Sequence, residues 1–240
     1  QLIPTKSNTW KKPHEVYFHN KKLEELVGDH SDYWVDQNKL SNTLSINKFI
    51  VDLGVSTNPS PEHLLNHFMD LTSNNPPTKS IVKVCTNIFK KLCELYEIHE
   101  DKQGEIIDLF YEFTYDEPCF PVIGDNDNWY NSDEVYISNY KSIKHSSAKL
   151  LAFNINHNES SKEILSNISI SEIELNHIIE HLNVCIDQKY KIDHEVFAIL
   201  NSEFQSISPA VIENNTSVPS IYDSQKNKLN ALSQLCAFPI

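Results

Sequence analysis

The chain has 240 residues, 33 Asp and Glu against 20 Lys and Arg, and 40% hydrophobic residues. That apolar share supports one large folded domain or two ordinary ones, while the formal net charge of −13 opposes nucleic-acid phosphates and anionic lipid as main partners. Only four glycines are present, with no GxGxxG and no GxxxxGK[ST], so nothing reads as a Gly-rich nucleotide loop.

The chain opens on LIP (2–4), a polar turn and NTWKKPHEVYF (8–18), an apolar run, turn, Trp and alternating apolar residues that predict a β-hairpin. Alternation would put Val16 and Phe18 on one face and Tyr17 on the other. KKLEELVG (21–28) reads as a short helix stopped by Gly28, and FIVDLGV (49–55) as a helix end stopped at Gly54. In NPSPEHLLNHFMDL (58–71), Ser60 is the expected N-cap, Pro61 the first helical residue, and Leu64, Leu65, Phe68 and Leu71 the apolar stripe. NNPP (74–77) breaks the chain. Residues 80–97 form the clearest helical pattern, with Ile81, Val84, Cys85, Ile88, Leu92 and Leu95 inward and Lys90 and Lys91 outward. A shorter helix is expected over 105–113.

CFPVI (119–123) and DNWYNSDEVYI (127–137) then repeat the opening: Trp10, Glu15, Val16 and Tyr17 return as Trp129, Glu134, Val135 and Tyr136 at the same spacing. The segment 153–165 lies over 53–65, with Ser160–Glu163 and Ser171–Glu174 as expected capping boxes. The helix 171–186 then takes the place of 80–97, 193–204 that of 105–113, and 208–212 with 218–224 resembles a third hairpin lacking Trp. On this alignment the second half has no counterpart to about 20 residues around 33–52. The expected fold is α+β, predominantly helical, built of repeated helical units each opened by a β-hairpin. The expected units are 1–117 and 118–240, the latter including the start of a third hairpin.

Cys85, Cys93, Cys119, Cys185 and Cys236 are odd in number and contain no CxxC, which fits reduced, buried thiols in a cytoplasmic protein. No apolar run reaches the length of a membrane span. There is no signal-peptide pattern, and a chain that starts inside a hairpin reads as a piece of a longer one. The sharpest catalytic string is HIIEH (177–181). On a helix His177 and His181 could share Zn²⁺ with Glu180 as general base, a third ligand coming from Glu203 or Glu213. The plainer reading is two surface histidines flanking the Ile178, Ile179 and Leu182 stripe. HLLNH (63–67) places His63 and His67 likewise, without an acid. Asp125 and Asp127 have calcium-loop spacing but lack the central Gly and closing Glu, so a polar turn is the expectation. Cys119 has no nearby His to activate it. Trp10 and Trp129 could stack a ligand, but a Trp after such a turn is expected to pack across the hairpin, with Trp129 largely buried.

The strings LGV…PSPE-x-LL (53–65) and W-x-x-P-x-EVYF (10–18), followed by FPVI…W…EVYI (120–137), resemble the non-catalytic regions of large sacsin-like proteins, including the plant NO VEIN group and bacterial relatives. The likeness is good over about 1–140 and weak over 150–240. It implies a scaffold or client-handling segment of a cytoplasmic multidomain protein. Elsewhere in such a protein stands an ATPase domain of the gyrase, histidine-kinase and chaperone type, whose motifs this chain lacks. Chaperone-like or bacterial defence roles would follow from it. The expectation is a non-enzymatic region with no catalytic, cofactor or metal residues. Its partners would be other domains of the same protein or protein clients, not nucleic acid or membrane. The alternative is a zinc hydrolase built on 177–181.

Overall fold

Local capping decides where most helices begin and end. The computed structural model describes residues 2–40, 44–56, 58–138, 143, 146–155, 158–188 and 196. Helix α1 (Lys21–Val27) starts where the Asn20 side chain accepts the Leu23 N–H at 2.9 Å and stops at Gly28, whose φ of +76° favours glycine. Helix α2 (Leu44–Asp52) stops ahead of Gly54 at φ +99°. Helix α3 (Pro61–Asn74) has Ser60 as N-cap and Pro61 in its first turn, as expected. Helix α4 (Lys79–Ile98) is capped by Thr78, and α5 (Gln103–Thr114) follows a short 3₁₀ turn. The fold is α+β and predominantly helical, with seven α-helices and short strands among the described residues.

The chain divides into two compact units, residues 1–134 with 152–169, and residues 135–151 with 170–240. The expected boundary at 117/118 falls inside the first unit.

The first unit holds two antiparallel hairpins. Strands β1 (Ile3–Pro4) and β2 (Trp10–Lys11) pair Pro4 with Trp10, while β3 (Phe120–Pro121) and β4 (Trp129–Tyr130) pair Pro121 with Trp129. Neither strand runs on through the alternating residues as the pattern suggested. A 3₁₀ turn intervenes in each, Pro13–Glu15 and Ser132–Glu134. Its glutamate closes it: Glu15 accepts the Lys12 N–H at 2.7 Å and Glu134 accepts the Asn131 N–H at 3.1 Å. The turn removes Val16 and Tyr17 from their hairpin, so both faces of that segment are buried.

Five phenylalanines knit this unit together. Phe68 on α3, Phe89 on α4, Phe110 on α5, Phe120 on β3 and Phe153 are all buried, with neighbouring ring centroids 5.6–6.4 Å apart. Each burial contributes roughly 1.5–3 kcal/mol before entropy is counted. Helix α6 (Glu159–Asn167) also belongs here. Its cap is Asn158, which accepts the Ser161 N–H at 3.0 Å, and not the expected Ser160. Asn158 is an equally strong cap that comes two residues earlier.

The second unit centres on a parallel sheet. Strand β5 (Val135–Ile137) lies between β6 (Lys149–Leu150) and β7 (Ser171–Glu172). Ser171 is therefore a strand residue and not a cap. Its backbone serves the sheet, and the helix expected from 171 starts later, as α7 (Leu175–Asp187). Ile178 and Leu182 of α7 pack with Ile143 and Val196. The expected helix over 193–204, the third hairpin, Glu203, Glu213 and Cys236 lie outside the described residues, Val196 excepted. Among the described residues no helix is long and apolar enough to cross a membrane.

Candidate functional site

Tyr17 is held by its backbone and its side chain alike. It is fully buried, and its backbone bridges Trp34 on one side and Ser56 on the other, both in parallel. Its hydroxyl accepts the Ser60 N–H at 2.9 Å and lies 2.7 Å from His63 Nδ1. One proton is shared between the two, and the His63 tautomer sets which of them donates it. Burial pushes the Tyr17 pKa up and pulls His63 below the ordinary histidine range, so both groups are held neutral. His63 also stacks on Tyr33, centroids 4.1 Å apart. One turn on, His67 lies against Gly28, where a Cβ would come within 2.7 Å of Nδ1. His30 next to it pairs with Asp70 at 3.1 Å.

The second unit places the matching residues in the same relations. Tyr136 is bridged in parallel by Leu150 and Ser171. Leu151 N–H donates to Tyr136 O at 2.9 Å as Val35 N–H donates to Tyr17 O at 3.0 Å. His177 packs on the Tyr136 ring at 4.5 Å, as His63 packs on Tyr17 at 5.5 Å. These contacts align FIVDLGVS (49–56) with ILSNISIS (164–171) and HLLNH (63–67) with HIIEH (177–181). Ser169, at φ +72°, stands opposite Gly54. By these contacts α7 lies over α3 in the alignment, where the sequence pattern sets it over 80–97. By the same bridges 34–35 lie over 150–151 and 44–52 over 159–167.

The HIIEH residues are each engaged within the protein. His177 Nδ1 accepts the Glu174 N–H at 3.2 Å. Glu180 accepts both the N–H and the hydroxyl of Ser147, at 2.9 and 2.7 Å, and these bonds lower its pKa. His181 is buried, with Nε2 3.6 Å from Cys185 Sγ, so the surface expected for both histidines holds for neither: His177 is half-buried. Among the described residues no group of three or more His, Cys, Asp or Glu is arranged to hold a metal ion.

Asp125 forms the polar turn. Its carboxylate takes the Tyr130 hydroxyl at 2.6 Å and N–H groups of Asp127 and Asn128, which hold its pKa well below the carboxylate range. Asp127 makes no comparable set. Cys119 is buried and its thiol is pushed up by desolvation, opposite to what a nucleophile requires. Trp129 is half-buried rather than largely buried, and its indole N–H donates to Asn75 O at 2.7 Å. Trp10 is 61% exposed. Trp34 is the largest fully buried side chain among the described residues.

Comparisons with protein-family models, with curated proteins and with solved structures give no match.

Proposed function

We propose that the chain is a non-enzymatic interaction region in which one motif recurs, each copy preceded in sequence by a Trp hairpin. In each, a central tyrosine strand lies under a helix carrying His-x₃-His. The observation that carries this reading is the recurrence of His63 on Tyr17 and His177 on Tyr136 at matching positions. It favours HIIEH as the second copy of a packing device over a zinc-hydrolase site, because its first histidine does in both units what a core contact does. The resemblance to sacsin-like scaffolds points the same way. On that reading the partners are protein clients or other domains of a larger cytoplasmic protein with an ATPase domain elsewhere.

Metal analysis of the purified chain tests the reading. The expected result is no stoichiometric zinc, and unchanged metal content after His177→Ala with His181→Ala. Stoichiometric zinc lost in that double variant would sink the proposal in favour of the hydrolase.

A further inference from the structure

A cavity of about 510 Å³ in the first unit runs along α4, opposite the turn of the β3–β4 hairpin and the 152–154 segment. Lys79, Lys83 and Lys90 line one side of it, all exposed. At 100° per residue they fall within about 40° of one another on the helix. Among the described residues none of the three pairs with a carboxylate. Asp125 is the acidic residue of the lining, and its two oxygens already take the hydrogen bonds of the hairpin turn. The rest of the lining is largely apolar, with Val82, Val122 and Ala152 half-buried and Ile123 63% exposed.

From this juxtaposition of three lysines and an apolar floor, we infer that the groove binds an extended acidic peptide segment of a partner protein. The inference rests on the interaction-region reading and gives its partner a chemistry. In a chain of net charge −13, long-range repulsion would oppose most polyanions. A short peptide that meets only this local cationic strip escapes most of that repulsion, whereas a nucleic-acid backbone does not. The spacing sets a pattern. A rise of 1.5 Å per residue puts Lys83 about 6 Å, and Lys90 about 16 Å, beyond Lys79 along the helix. An extended chain advances about 3.3 Å per residue. Alternate residues of an extended chain share a face, so acidic residues at i, i+2 and i+4, spanning about 13 Å, come within reach of the three lysine side chains, and an apolar residue at i+1 turns to the opposite wall, towards Val122 and Ile123.

The test is fluorescence anisotropy with the 240-residue chain and a labelled peptide of about twelve residues carrying Glu at i, i+2 and i+4 and Leu at i+1. Binding is expected to weaken at least tenfold in Lys83→Glu/Lys90→Glu, and less in Lys83→Gln/Lys90→Gln. It should weaken at least tenfold when the peptide glutamates become Gln, and several-fold in Ile123→Ser. The charge variants change exposed side chains, and an unchanged thermal melt would show that they fold. Absence of binding at millimolar peptide overturns the inference. So does equal binding of the Glu and Gln peptides, or lysine-dependent binding of poly(U) RNA tighter than that of the peptide. Each of those outcomes leaves the metal result untouched, so failure of the groove and failure of the interaction-region reading are separable.

Discussion

Replacing Tyr17 by Phe removes one oxygen and keeps the ring against Trp34, 6.2 Å away, and His63. That oxygen takes the Ser60 N–H and reaches His63 Nδ1. A typical hydrogen bond contributes about 0.5–1.5 kcal/mol net, and a buried group left without a partner costs about 1–3 kcal/mol. Ser60 and His63 are half-buried, so water can replace part of what each loses. The expected loss is about 2 kcal/mol, measured by urea unfolding at constant m, with a fall in Tm of about 4–8 °C for a chain of this length. Tyr136→Phe is the control: Tyr136 is half-buried and its ring contact on His177 survives the change. That variant should stay within about 0.5 kcal/mol of wild type. Equal effects of the two variants, or a neutral Tyr17→Phe, would refute the hydroxyl as the link between the tyrosine strand and the start of α3.

Three further outcomes are expected. Burial holds His63 and His67 below the ordinary histidine range, so the unfolded chain takes up their protons first, near pH 6.5. Stability from these sites is complete above about pH 6.5 and is lost as pH falls below it; the urea midpoint should drop from pH 7.5 to 5.5, and drop less in His63→Asn/His67→Asn. Trp129→Ala should cost about 2 kcal/mol, less than the roughly 3–5 of a fully buried aromatic, and Trp10→Ala, whose ring is mostly in solvent, less than Trp129→Ala; the reverse order in urea unfolding would show that the hairpin contacts are misassigned. Cys85 and Cys93, buried and pushed up to about 12, should resist a thiol reagent at pH 8 in the folded chain and react on unfolding; rapid modification of either in native protein would contradict their burial.

Helix limits were legible because a cap acts over three or four residues. Ser60 with Pro61, Gly28 and Gly54 mark their helix ends whatever surrounds them. The Trp10 and Trp129 strings likewise announced two hairpins of one register. The α4 stripe was legible through its period, since Cys85, Ile88, Leu92 and Leu95 are all buried.

What pairs with what was decided only in three dimensions. Ser171 carries a cap signature, yet its backbone joins Tyr136, 35 positions back in the chain, and a sheet partner at that distance leaves no local mark. The likeness of 49–56 to 164–171 was hidden for the same reason. Gly54 and Ser169 hold the same left-handed turn with different residues, so LGVS and ISIS look unrelated as text. Trp34 reads as an ambiguous aromatic until Tyr17 and His19 pack against it. The sequence by itself determined composition, the helix ends marked by Ser60, Gly28 and Gly54, and the two hairpins, because those follow from short-range sterics and hydrogen bonds. The tertiary structure alone determined the parallel pairing about Tyr17 and Tyr136, the burial of His181 and the lysine-lined groove, because each depends on segments brought together by a core that no single stretch encodes.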